Sequence, residues 1–170
     1  MATRHEEYYQ VTRVTRCIPK PFDHVRSRIE SSLKPSAQAG LSVLNHTSSK
    51  ESFEDYVKSV VGQHDFMPFW QADHSSWIHL YDVHNKHALR LVFGNPLIAI
   101  TMIKQDIRAG LFVPIEAYII EREDGSGTDI IYMKPSTLIA GSDDSSQNLK
   151  AAAEALDAKL EKLLDFVAAQ

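Results

Sequence analysis

Apolar and polar positions recur along this chain with two different periods, and the switches between them mark its elements. From residue 7 to 18, Tyr9, Val11 and Arg13 alternate with Gln10, Thr12 and Val14 in a run rich in Val, Thr and Tyr, which predicts a first strand. Beyond Pro19 and Pro21 the period lengthens. Phe22, Val25, Ile29 and Leu33 fall at helical spacing and predict an amphipathic helix that ends before Pro35. Residues 34–49 read as a connection with a short strand at Leu41–Leu44. Phe53, Val57, Val60 and Val61, with Tyr56, predict a second amphipathic helix from Glu51 to Gly62, capped by Ser48 or Ser52. His64 to Trp70 follows as an aromatic loop that Pro68 holds out of regular structure and whose apolar side chains must pack onto something.

Trp77–Val83 and His87–Phe93 alternate as two strands joined through His84-Asn85-Lys86, a tight hairpin. The hairpin delivers the chain to Phe93-Gly94-Asn95-Pro96, where Gly94 and Asn95 suit turn geometry, Asn95 suits a cap and Pro96 suits the first position of a helix. The helix that follows, LIAITMIKQD, is apolar round much of its circumference, so it is expected to lie buried between the sheet and a second surface such as a partner subunit. Phe112–Arg122 and Thr128–Met133 predict antiparallel strands about the DGSG turn. A long helix opens at Ser145 or Ser146 and runs to about Ala169. Hairpin-linked strands with helices before and after give an α+β fold: one domain over residues 1–170, an antiparallel sheet with helices packed mainly on one face.

Composition narrows the function classes. The 170 residues are 44% hydrophobic, enough for one core, and the formal net charge of −4 with scattered basic residues excludes a general nucleic-acid binder. No apolar run approaches the length of a membrane span and the start MATRHEEYYQ lacks a secretory apolar segment, so a cytoplasmic protein without a membrane partner is expected. Cys17 is the single cysteine. With no second thiol, a disulfide framework and a thiolate zinc site are excluded, and Cys17 reads as a half-buried strand thiol.

Chemistry-bearing residues concentrate between His64 and Glu116. His64, His74, His79, His84 and His87 lie close together in sequence with Asp65, Asp73 and Asp82, a density that suits a metal or haem site, yet their spacing matches no ligand motif, and surface and turn histidines are the plainer reading. No metal and no other cofactor is therefore assigned. On one face of the expected strand, Trp77, His79 and Tyr81 would form an aromatic wall for a small organic ligand, with His79 as general acid or base. Glu116, interrupting VPIEAYII beside Tyr118, would be a second catalytic group if desolvation raised its pKa, and Arg90 is its expected cross-strand ion-pair partner. Asn95, at the helix start, and Trp70, on the aromatic loop, complete the expected ligand-binding set of Trp77, Tyr81, Arg90, Asn95, Tyr118 and Trp70. The leading expectation is a small-molecule-binding protein, as an enzyme a cofactor-independent isomerase, cyclase or lyase acting by acid-base chemistry. The alternatives are a non-catalytic binding module that forms a homodimer through the FGNP helix and the aromatic loop, and a metal or haem protein that uses the histidine cluster.

FGNP, the apolar helix after it, LFVPIEAYIIERED, GSG and TDIIYMKPSTLIAG together resemble the core of the domain-of-unknown-function family numbered 302, over roughly the second half of the chain. The resemblance implies a compact antiparallel sheet carrying helices, and dimer formation. It also implies an Asp-His pair entering the strand before FGNP and small residues in the helix after it. Here Asp73-His74 and Asp82-Val83-His84 are approximate counterparts, and LIAITMIKQD is bulkier, which implies a reshaped pocket.

Overall fold

The computed structural model describes residues 1–33, 39–45, 49–81, 83 and 87–169. In chain order the elements are β1 (Arg13–Ile18), α1 (Phe22–Leu33), α2 (Ala39–Leu44), α3 (Lys50–Val60), β2 (Met67–Asp73), α4 (Ser75–Ile78) running into a 3-10 turn at His79–Tyr81, and β3 (Ala88–Gly94). Then come α5 (Pro96–Ile103), a 3-10 turn at Ile107–Phe112, β4 (Ile115–Glu121), β5 (Thr128–Met133), α6 (Pro135–Ile139) and α7 (Gln147–Ala168). The five strands form one antiparallel sheet in the order β1-β5-β4-β3-β2. An α+β fold with an antiparallel sheet is what the period-switching pattern predicts.

Alternation along the strands assigns the two faces. Leu89, Leu91 and Phe93 of β3, Ile115, Ala117 and Ile119 of β4, Ile130 and Tyr132 of β5 and Ile18 of β1 point one way and are buried. Against them pack Phe22, Val25, Ile29 and Leu33 of α1 and Leu149, Leu156, Leu160, Leu163, Leu164 and Val167 of α7, closing one contiguous core. Each fully buried large aliphatic side chain in such a core contributes about 1.5–3 kcal/mol. Polar ties fix α7 over the same face: Tyr132 donates to Glu161, and the Arg16 guanidinium meets Asp165 at 2.6 Å and Glu161 at 3.3 Å. A second, smaller core of Val43, Val57, Met67 and Phe69 joins α2 and α3 to the β2 edge.

Several expectations are corrected. Leu41–Leu44 is helical, because α2 packs Val43 into the small core while the bare Gly40 Cα faces the Phe69 ring, 2.4 Å from where a Cβ would stand. The supposed aromatic loop is largely strand: Pro68 sits in β2, an edge strand, where a residue without an N–H is tolerated and where the ladder shifts register between Pro68 and Trp70. Trp77, His79 and Tyr81 do not share a strand face. Ser75 donates its N–H to Asp73 Oδ1 at 3.0 Å and its hydroxyl accepts from Ala88 N–H at 2.9 Å, and these bonds turn the segment into α4 and the 3-10 turn. The expected hairpin tip, His84-Asn85-Lys86, lies outside the described residues. The cap of α3 is Ser49, whose hydroxyl accepts from Ser52 N–H, rather than Ser48 or Ser52. The first strand starts at Arg13 instead of residue 7, and Cys17 is exposed instead of half-buried.

Candidate functional site

The junction at residues 93–97 is built as its residue types require. Asn95 takes an extended backbone and its Oδ1 accepts from Leu97 N–H at 2.8 Å, capping α5, with Pro96 at the first helical position. Its Nδ2 donates to the carbonyl of Asp65 at 2.8 Å, tying α5 to a turn in which Asp65 adopts a left-handed φ of 64°. Asn95 thus spends its carbonyl and its amide on structure. Gly94 has little room for a side chain: a Cβ there would stand 3.0 Å from Cβ of Pro114.

Along α5 runs a groove of about 530 Å³. Leu97, Ile98, Ala99, Ile100 and Ile103 form one wall, Phe53, Leu44 and Phe69 another, and Val113, Pro114, Ile115 and Leu156 the rest, so the lining is almost wholly apolar. Within the single chain α5 is covered on one side only: Met102 alone is buried, while Ile100 and Thr101 are exposed. Charged groups stand only at the rim. Lys50 lies 3.8 Å from Glu54, whereas Lys104, which caps the C-terminal end of α5, makes no ion pair with the described residues.

The sheet face opposite α1 and α7 carries Arg90, Glu116 and Tyr118 of the expected site. Ala72, Arg90, Tyr118, Ile131 and Thr15 form one row across all five strands, and Glu116 and Asp129 point the same way. Arg90 Nε donates to Glu116 Oε2 at 2.9 Å, with about half of each side chain exposed, so this is a solvated ion pair. A smaller hollow of about 340 Å³ lies here, lined by His74, Arg90, Glu116, Tyr118, Ile131 and Met133. The His74 ring meets Trp77 at 5.6 Å and Tyr118 at 5.7 Å, both edge-on, and Trp77 continues to Tyr81 at 6.3 Å. Trp77, Tyr81 and Tyr118 are therefore linked through His74. His79 points elsewhere: it is exposed, with Nδ1 3.2 Å from the Ser75 carbonyl. Neither this hollow nor the α5 groove holds both His79 and Glu116, and Trp70 stands half-exposed on the edge strand.

The histidines disperse. His64 bonds Ser32 at 2.6 Å and lies tilted against the Phe166 ring at 4.9 Å, His87 stacks on Phe22, and His74 and His79 have the neighbours just given. Among the described residues no group of three His, Cys, Asp or Glu side chains is arranged to hold a metal. Ser32 with His64 has the atoms of a nucleophile-base pair, but Ser32 is fully buried in α1 and lines none of the cavities above. Asp73 has its carboxyl held below the ordinary range, first by the Ser75 hydroxyl and then by the Ser75 N–H and the Arg26 charge, against the opposing effect of burial. Tyr132 is shifted up, first by burial and then by its bond to Glu161. Both shifts belong to structural ties rather than to a reacting pair.

Pattern reading missed the groove's own side chains, Phe53, Leu97, Ile98, Ile100, Ile103 and Leu156. Their signal is the all-round apolarity of LIAITMI, which no surface among the described residues fully covers. His74 was missed as the link of the aromatic chain, and its signal was the Asp73-His74 pair.

No helix among the described residues is long and apolar enough to cross a membrane. Among curated proteins no match is found. A solved structure described as an uncharacterized conserved DUF302 protein from Bacillus stearothermophilus superimposes with a TM-score of 0.62 at 18% identity, covering 91% of this chain and 97% of that one, which shows a shared fold. The sequence profile of the family described as domain of unknown function DUF302 matches residues 43–167, from α2 through nearly all of α7 and including the whole FGNP junction and groove. The chain belongs to the DUF302 family.

Proposed function

We propose that the protein is a small-molecule-binding protein whose ligand is an elongated apolar compound lying in the groove along α5. The observation that carries this reading is the pairing of size with lining. A space of about 530 Å³ is within the range of ligand cavities, and its walls are aliphatic and aromatic with charge only at the rim. The reading moves the ligand from the Trp77 and Glu116 region, where the hollow is smaller and is lined by a solvated ion pair. Binding without chemistry is the simpler form of the proposal. Acid-base catalysis by His79 and Glu116 requires both beside one substrate, and they stand on separate elements with separate partners.

The test is titration of a solvatochromic apolar dye, followed by displacement with straight-chain alcohols. Saturable binding that is lost in Ala99→Trp, with unfolding midpoint retained, is expected. Absence of saturable binding, or equal binding by the blocked variant, refutes the reading.

A second reading, self-association of a non-catalytic module, is favoured by Ile107 and Leu111, which are 77% and 81% exposed on the turn beside α5. Sedimentation velocity of the parent and of Ile107→Glu/Leu111→Glu decides it, a monomer in both cases excluding this reading.

A further inference from the structure

We infer that the ligand of the α5 groove is a monocarboxylate with an unbranched chain of about ten carbons, its head at Lys104 and its tail toward Gly94. The inference rests on the groove being a ligand site and adds the class of ligand. Three features of the rim carry it.

Charge comes first. The groove has cationic groups at two places, Lys50 and Lys104. Lys50 is already offset by Glu54 at 3.8 Å, while Lys104 has no carboxylate partner among the described residues. An anionic head therefore finds its complement at Lys104. The rest of the lining offers an apolar chain no competing polar group except Asn95, whose side chain is committed to Leu97 and Asp65.

Length comes second. The eight residues of α5 run from the FGNP turn to Lys104 along the groove. At about 1.5 Å per residue the wall is about 12 Å long, and an extended chain advancing about 1.2 Å per bond spans it with about ten bonds.

The field of the helix comes third. The C-terminal end of α5 presents its last carbonyls, which repel an anion, and the protein as a whole carries a net charge of −4. Lys104 is thus the feature that turns an anion-averse end into an anion-preferring one. Removing it should reverse the preference rather than merely weaken it.

Octanoate, decanoate and dodecanoate, with the matching primary alcohols, are measured by dye displacement and calorimetry at neutral pH and low salt, below their micelle concentrations. In both series affinity is expected to rise about fourfold per added methylene up to about ten carbons, the factor for taking one CH₂ out of water, and then to level off. Decanoate is expected to bind about tenfold tighter than decanol in the parent protein. In Lys104→Met the alcohol should bind as before and the acid more weakly than the alcohol, with Lys104→Arg keeping the parent order; the preference should shrink at high salt. If acid and alcohol bind the parent equally, or the acid preference survives in Lys104→Met, the carboxylate assignment falls while the apolar groove stands. If neither series binds with a chain-length dependence, the groove reading itself falls.

Discussion

Replacing Asn95 by Ala removes two hydrogen bonds that the structure lets one separate. The first is the cap, Oδ1 accepting from Leu97 N–H at 2.8 Å, whose loss costs about 1 kcal/mol in helices generally. The second is Nδ2 donating to the Asp65 carbonyl at 2.8 Å, a neutral and partly solvated bond worth about 0.5–1 kcal/mol. Because α5 is short and rich in β-branched Ile and Thr, it has little intrinsic helix preference to fall back on. Asn95→Ala should therefore lose about 1.5–2 kcal/mol. Asn95→Asp keeps the capping acceptor, gains an anion at a helix start worth about 0.3–1 kcal/mol, and loses the donor while turning an oxygen toward the Asp65 carbonyl. Its loss should be about half that of Asn95→Ala. Equilibrium urea unfolding measures both, as midpoint shifts at unchanged slope. The reasoning is refuted if Asn95→Ala lies within about 0.3 kcal/mol of the parent, a loss too small for any cap. It is equally refuted if Asn95→Asp and Asn95→Ala lose the same amount, since the cap would then contribute nothing.

Gly94→Ala should cost about 1–3 kcal/mol, because its methyl would press on the Pro114 ring at 3.0 Å; thermal unfolding checks it. For Arg90 and Glu116, a double-mutant cycle should give a coupling below about 1 kcal/mol that vanishes in high salt, as for a solvated pair. The folded-state pKa of Asp73 is depressed, so its stabilising contribution is present above the unfolded value near 3.8 and is lost as pH falls through the lower folded value. Asp73→Asn should accordingly flatten the acid limb of a stability-pH curve below about pH 4 and leave the neutral region's slope unchanged. Tyr132 has its pKa raised, so its contribution is intact below about pH 10 and fades above it, and Tyr132→Phe should remove that alkaline loss in unfolding curves taken at stepped pH.

What the chain made legible was local. α1 and α7 carry their apolar stripes within a few turns, and Ser146, which caps α7, and Asn95, which caps α5, are adjacent to the helices they start. Misreadings arose where tertiary position decided. Pro68 reads as a breaker unless the strand is known to be an edge, and the alternation of Trp77, His79 and Tyr81 imitates a strand although Asp73 and Ser75 bend the backbone. The expected Arg90-Glu116 ion pair is present because β3 and β4 are adjacent in the sheet. The expected ligand set is divided between the open face and the α5 junction, since strand register could not be read without the fold. The groove was invisible for a related reason. Its walls come from α2, α3, β2, α5, α7 and the approach to β4, and no single segment shows a concavity.

The strand order has a consequence for synthesis. β2, β3, β4 and β5 each pair with the strand before or after them in the chain, but β1 closes onto β5 across nearly the whole intervening sequence. A chain emerging from the ribosome thus completes β1 and α1 first but cannot pair β1 until Thr128–Met133 has emerged, because loop closure of that span waits for β5. Until then the apolar stripe of α1 has no finished sheet to lie on and no α7 beside it. A nascent chain halted before Thr128 should be the form most dependent on chaperones, and a permuted chain that starts after β1 and ends with it should escape that delay.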